Sequence, residues 1–91
     1  MSDKTLVIVP TYNEGNNITR LVNEVMDQDE RIHLLIVDDG SPDGTSTIVQ
    51  NMKSEYGNRL HLIERAGELG LGTAYVRGFK FAVEHDYEFI C

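Results

Sequence analysis

Asp38 and Asp39 stand side by side directly after the apolar run Leu34-Leu35-Ile36-Val37, and Gly40-Ser41-Pro42-Asp43-Gly44-Thr45 follows at once. Adjacent carboxylates raise each other's pKa unless cations or donors lie near. Placed where a buried strand leaves the core, they suit accepting the N–H and O–H groups of a ligand. A second polar stretch, Pro10-Thr11-Tyr12-Asn13-Glu14, follows the apolar run Thr5–Val9. It offers a ring face and another carboxylate. Together Pro10, Tyr12, Glu14, Asp38 and Asp39 supply what a nucleotide held by side chains needs: a surface for the base, and acceptors for base N–H groups and ribose hydroxyls. The alternative at Asp38-Asp39 is a solvated acidic turn that stops a strand.

Other ways of holding phosphate fail on the same residues. A P-loop requires Gly-Lys-Ser/Thr after the first strand, and none is present. A dinucleotide fold requires Gly-x-Gly-x-x-Gly there, whereas Pro10–Glu14 contains no glycine. The glycines at 70, 72 and 78 follow the third strand and have the wrong spacing. A receiver-like regulatory module would carry its acidic pair after the first strand and a phosphoacceptor Asp after the third. Here Arg65-Ala66-Gly67 stands in the second of those places. A non-catalytic α/β binding module of another kind stays open at this point.

The elements that must position these residues follow from periodicity. Thr5–Val9 and Ile32–Val37 read as strands buried on both faces. Pro10 is expected to end the first, since it lacks the amide donor. Ile18, Leu21, Val22, Val25 and Met26 mark one face of a helix, with Asn16 or Asn17 as N-cap. Ile48, Val49, Met52 and Tyr56 mark a second helix, capped by Thr45 and stopped by Gly57-Asn58. Leu60–Ile63 is a third strand, less apolar and so nearer an edge. A glycine-rich stretch, Gly67–Gly72, leads into a third helix from about Thr73 to Glu84, in which Gly78 permits close packing on the sheet. Tyr87–Cys91 begins a fourth strand. Crossovers of this length imply parallel pairing and right-handed connections. A doubly wound sheet of order 3-2-1-4 puts its crevice between the first and fourth strands, beside Thr11–Glu14 and the Asp38-Asp39 turn. The chain stops inside its fourth strand, so it reads as one subdomain, 1–91, truncated at its C-terminal end.

Composition bounds the partners. The 91 residues carry a net charge of −7, with no basic stripe to neutralise nucleic acid. An acidic chain that handles a phosphorylated ligand calls for a divalent cation as a bridge. Cys91 is the only cysteine, which excludes a disulfide framework and fits a reducing, cytoplasmic compartment. There is no signal-like start, and the apolar runs are far too short to span a membrane. His33, His61 and His85 are scattered and lack metal-ligand spacing. Met26 and Met52 read as core fillers, and Cys91 as a core thiol of the fourth strand.

Three motifs carry a family resemblance: Pro10-Thr11-Tyr12-Asn13-Glu14, then Val37-Asp38-Asp39-Gly40-Ser41-Pro42-Asp43-Gly44-Thr45, then Leu69-Gly70-Leu71-Gly72-Thr73-Ala74-Tyr75. They run in order through nearly the whole chain, which resembles the dolichol-phosphate mannose synthase branch of the inverting GT-A glycosyltransferases. The resemblance implies a Rossmann-like α/β half of a GT-A fold. It implies that Pro10, Tyr12, Glu14, Val37 and Asp39 line the guanosine site of GDP-mannose, with Asp38 adjacent. Arg65 and Gly70–Thr73 would shape the floor near the ribose or diphosphate. It further implies mannose transfer to a polyprenol phosphate with inversion, Mg2+ or Mn2+ in the full-length parent, and a parent at the cytoplasmic face of a membrane. The metal-binding Asp-x-Asp of the family would follow Cys91. The 1–91 piece would then hold no catalytic or metal residue and be inactive alone. A related transferase using another nucleotide-sugar fits the same motifs.

Several of these residues have plainer readings. Tyr12 could cap the sheet edge, and Glu14 could favour a helix N-terminus. Asp43 fits turn stabilisation better than ligand contact. Arg65 and Arg77 could meet phosphate or pair with Asp and Glu. An uncovered fourth strand would leave an apolar edge and promote self-association.

Overall fold

The computed structural model describes residues 4–66 and 70–91. Gly67 and Leu69 of the glycine-rich stretch and the first three residues lie outside them. The elements run β1 (Thr5–Thr11), α1 (Ile18–Met26), β2 (Ile32–Asp38), α2 (Thr45–Tyr56), β3 (Leu60–Glu64), α3 (Leu71–Glu84) and β4 (Phe89–Ile90), with a 3-10 turn at Gly57–Arg59. All strand pairs are parallel and the order is β3-β2-β1-β4. This is the doubly wound arrangement expected from the connectivity.

The sheet divides two cores. Leu34 and Ile36 of β2 face α1 and α2, where Ile18, Val22, Met26 and Val49 bury completely or nearly so. Leu35 and Val37 face the other way and pack with Leu6, Ile8, Ala74 and Ala82 beneath α3. Fully burying one such aliphatic side chain contributes roughly 1.5–3 kcal/mol. The unbroken apolar run of β2 follows from this double burial. Ala74, Gly78 and Ala82 recur every four residues, so α3 lies close on β1. A Cβ on Gly78 would sit 2.7 Å from Ile8 Cγ2, which explains a glycine inside the helix.

The readings of Pro10, Thr45 and Cys91 change, whereas Asn17 holds the cap position expected of it. β1 continues through Pro10 to Thr11. Leu6 and Ile8 turn their backbone groups to the β4 side, where Ile8 N–H donates to Cys91 O and Leu6 O accepts from Cys91 N–H. Pro10 has the same parity and lies beyond Cys91 on that side, so its missing donor breaks no bond of the β1–β2 ladder. Thr45 is the first residue of α2 rather than its cap. Gly44 holds the cap position at φ 86, a left-handed conformation that glycine adopts freely. Asn17 caps α1 by position, without a side-chain bond to the helix. Cys91 is exposed, not a core thiol.

The histidines, scattered in sequence, meet in space. His33 and His61 stand at equivalent ends of neighbouring strands, and Tyr87 Oη lies 2.8 Å from His33 Nδ1 and 3.1 Å from His61 Nε2. His61 also neighbours Phe81 and His85. A phenol has one hydrogen to donate, so one of the two rings accepts it as neutral imidazole. Burial, with Lys4 and Arg59 nearby, lowers the pKa of His33. Burial, with His33, His85 and Lys53, pushes His61 down to about 4 from 6.5. Between those values the unfolded chain binds protons that the folded chain refuses, so stability falls as the pH falls through that window. Denaturant titrations at pH 7.5 and pH 5 will therefore show a loss on the order of 2 kcal/mol. His61→Phe will flatten this dependence, and an unchanged slope would contradict the assignment.

Candidate functional site

The register Thr11↔Asp38 brings the ends of β1 and β2 to one edge of the sheet. There Asp39 N–H donates to Thr11 O at 3.0 Å, and Arg65 N–H, just after β3, donates to Asp38 O at 2.8 Å. Three strand ends are thus joined in a row. Of the residues singled out in the sequence, Tyr12 (41% exposed) and Glu14 stand out in solvent, while Pro10 is half-buried beside Val37. The Val37 side chain lies wholly in the core beneath α3. It shapes the floor of the edge and offers no surface of its own.

The two aspartates differ sharply. Asp38 is 1% exposed and Asp39 5%. Asp38 accepts from Thr11 Oγ1 at 2.8 Å, from Ser41 Oγ at 2.6 Å and from Ser41 N–H at 3.0 Å. Asp39 Oδ1 accepts from Arg65 Nε at 2.5 Å, and Oδ2 has no hydrogen-bond partner among the described residues. Arg65 reaches further, donating from Nη1 to Thr73 Oγ1 at 2.9 Å and from Nη2 to Gly70 O at 3.3 Å. It ties the acidic strand end to the first turn of α3. Of its two sequence readings, pairing with an acidic residue is the one observed. Arg77, by contrast, has its Nη1 buried without a hydrogen-bond partner among the described residues.

The loop after β1 hangs on the turn after β2. Three successive amides each find a side-chain oxygen there. Asn13 N–H donates to Ser41 Oγ at 2.8 Å, Glu14 N–H to Thr45 Oγ1 at 3.1 Å and Gly15 N–H to Asp43 Oδ2 at 2.9 Å. Asp43 also accepts from Thr45 N–H and Thr45 Oγ1. These bonds hold the Asp43 carboxyl below its ordinary pKa, and they bear out its reading as a turn stabiliser. A Cβ on Gly15 would approach Asp43 Oδ2 to 2.9 Å. Asn13 itself lies at φ 56, a left-handed backbone that asparagine tolerates better than most residues. Sequence reasoning missed Ser41 and Thr45 as members of this clamp. The visible signal was the Ser-Pro-Asp-Gly-Thr run, read only as a turn.

Successive free amides in a loop can cradle an anion. Here they are already taken, so this loop presents side chains and not a phosphate nest. Nor do the described residues suit a metal: no three His, Cys, Asp or Glu among them could hold an ion, and Asp38 has both oxygens engaged.

A parallel sheet of this order, with helices on both faces and an acidic end to β2, defines a Rossmann-like α/β half-domain. The model of glycosyl transferase family 2 matches residues 6–88, and the chain belongs to that family. It is 40% identical over 86 residues to the polyprenol monophosphomannose synthase of Mycolicibacterium smegmatis, an alignment covering 94% of this chain and 32% of that protein. It is 34% identical over 85 residues to the undecaprenyl-phosphate mannosyltransferase of Micrococcus luteus, covering 93% and 35%. A solved mannosyltransferase from Pyrobaculum calidifontis, in complex with GDP-Man and Mn2+, superposes with a TM-score of 0.80 at 28% identity. That superposition covers 90% of this chain and 25% of the other. The chain therefore spans about a third of the length of the curated relatives it matches. No helix among the described residues is long and apolar enough to cross a membrane.

Thr45 is the fully buried joint of the clamp, both donor and acceptor. Thr45→Val keeps its shape and removes the hydroxyl, leaving the Glu14 amide without its acceptor. Chemical denaturation will show a loss of about 1–3 kcal/mol, and an unchanged midpoint would refute the clamp.

Proposed function

We propose that residues 1–91 form a single nucleotide-binding subdomain of a transferase that moves mannose from GDP-mannose to a polyprenol phosphate with inversion. The observation that carries this reading is the open edge where Tyr12 and Glu14 stand beside Asp39. One Asp39 oxygen is clamped by Arg65 and the other has no described partner. Tyr12 offers its ring to the base. Asp39 Oδ2 accepts a base N–H, and Arg65 keeps the carboxylate in one rotamer so that little ordering remains when the ligand binds. Glu14 accepts from the ribose hydroxyls, and Pro10, backed by the buried Val37, forms the apolar floor. The family match and the relatives' names support the transferase class and the lipid acceptor. The neighbour's GDP-Man supports guanosine over other bases, although an Asp acceptor also suits a transferase using another nucleotide-sugar.

In the whole transferase, Mg2+ or Mn2+ is held by carboxylates other than those described here, and it supplies charge neutralisation at the diphosphate. The polyprenol acceptor places the whole protein against a membrane, peripheral to or anchored at its cytoplasmic face. Residues 1–91 alone transfer no mannose.

Calorimetric titration of GDP and UDP into the chain tests the reading. GDP will bind, Asp39→Asn and Tyr12→Ala will each weaken it about tenfold or more, and an assay with GDP-mannose and a polyprenol phosphate will show no turnover. Absence of GDP binding, or binding indifferent to both variants, would overturn it.

The chain's second exposed feature is apolar. Tyr75, Val76, Phe79 and Val83 of α3 and Phe89 and Ile90 of the edge strand β4 all face solvent. An open strand edge beside such a surface drives association. Light scattering will show a mass that rises with concentration above the 10.3 kDa monomer; a monomer throughout would contradict this.

A further inference from the structure

Asp38 and Asp39 are neighbours in the chain, but among the described residues both Asp38 oxygens have hydrogen-bond partners while Asp39 Oδ2 has none. A carboxylate has acceptors only, so the Ser41 hydroxyl must point its hydrogen at Asp38 Oδ1, 2.6 Å away. The hydroxyl's own lone pairs are left to accept, and they take the Asn13 N–H at 2.8 Å. That bond is made to a residue at φ 56, a conformation that costs a non-glycine residue energy and persists only where the surroundings impose it. Thr11, the last residue of β1, is held to the same Asp38 oxygen. Asp38 therefore fixes the stretch between Thr11 and Asn13 at both ends, and Tyr12 is the residue between them.

We propose that Asp38 is a positioning residue of the nucleotide site: through Thr11 and the Ser41–Asn13 bond it sets the direction of Tyr12 and Glu14 without touching the ligand. This rests on the nucleotide reading above. Asp38 Oδ1 accepts from the Thr11 and Ser41 hydroxyls and Oδ2 from the Ser41 N–H, so in Asp38→Asn the side-chain NH2 would face either the Ser41 N–H, donor against donor, or, turned over, the two hydroxyls. Either way one anchor of Ser41 is lost, and with it the fixed orientation on which the Asn13 amide relies.

The test is GDP titration into the 91-residue chain and its variants Asp38→Asn, Ser41→Ala, Ser41→Thr and the double variant Asp38→Asn with Ser41→Ala. Circular dichroism confirms that each is folded at the temperature used, and hydrogen exchange is read at the Asn13 amide. Asp38→Asn and Ser41→Ala will each weaken GDP by about tenfold, and the double variant will be no weaker than the worse single. Ser41→Thr, which keeps the hydroxyl, will retain affinity. Asn13 exchange will quicken in the first two variants and not in the third. A loss confined to Asp38→Asn, or losses that multiply in the double variant, would mean that Asp38 contacts the ligand directly and would overturn the proposal. So would unchanged Asn13 exchange in Asp38→Asn. If the unsubstituted chain bound no GDP, the nucleotide reading would fail, and this proposal with it.

Discussion

A carboxylate removed from water must be met by donors or it destabilises the fold by several kcal/mol. Asp38 sits at the end of the most buried strand of the sheet, and its demand for donors organises everything above that strand. It draws in Thr11 from β1 and Ser41 from the following turn. Ser41 holds Asn13, and the neighbouring amides of Glu14 and Gly15 fall onto Thr45 and Asp43. Two loops with no regular structure of their own thus acquire one defined arrangement. The parallel register of β1 and β2 brings the partners within reach, and the carboxylate makes their meeting obligatory.

Asp39 answers the same demand differently. Arg65 meets it from the next strand and also holds the start of α3. One arginine therefore connects the ends of β2 and β3 with the start of α3 at the sheet edge. The adjacent aspartates divide the work: one is consumed in building the edge, and the other keeps one oxygen with no hydrogen-bond partner among the described residues.

Much of this was legible in the sequence. Connection lengths and apolar runs implied the strand order, because a chain that returns through a helix has few ways to lay its next strand. Gly78 was legible because a glycine inside a helix needs a packing reason, and Ile8 provides it. Pro10 misled because the rule about proline in strands depends on which neighbour the missing donor would have faced, and this is a property of the sheet. Cys91 misled because apolar character along a strand does not reveal whether its outer face is covered. The meeting of His33 and His61 depends on the β2–β3 register, and their joint contact with Tyr87 on the return from α3. Spacing along the chain could not show it. The clamp on residues 13–15 was hidden for a similar reason, since Ser41, Asp43 and Thr45 look like ordinary turn formers until the opposite loop is present.

The occupied amides at 13–15 also bear on how this edge responds to its solvent. Recognition of phosphate by unpaired cationic groups or free amides weakens as salt screens the charges. This edge offers an aromatic ring, a directed carboxylate oxygen and apolar floor residues, whose contacts act over short range and owe little to the ionic atmosphere. A chain of net charge −7 would in any case repel a dianionic diphosphate from a distance, and added salt lessens that repulsion. If this edge takes the nucleotide proposed above, ionic strength will favour the encounter while leaving the bound contacts nearly untouched, the reverse of what a basic phosphate-binding loop would display.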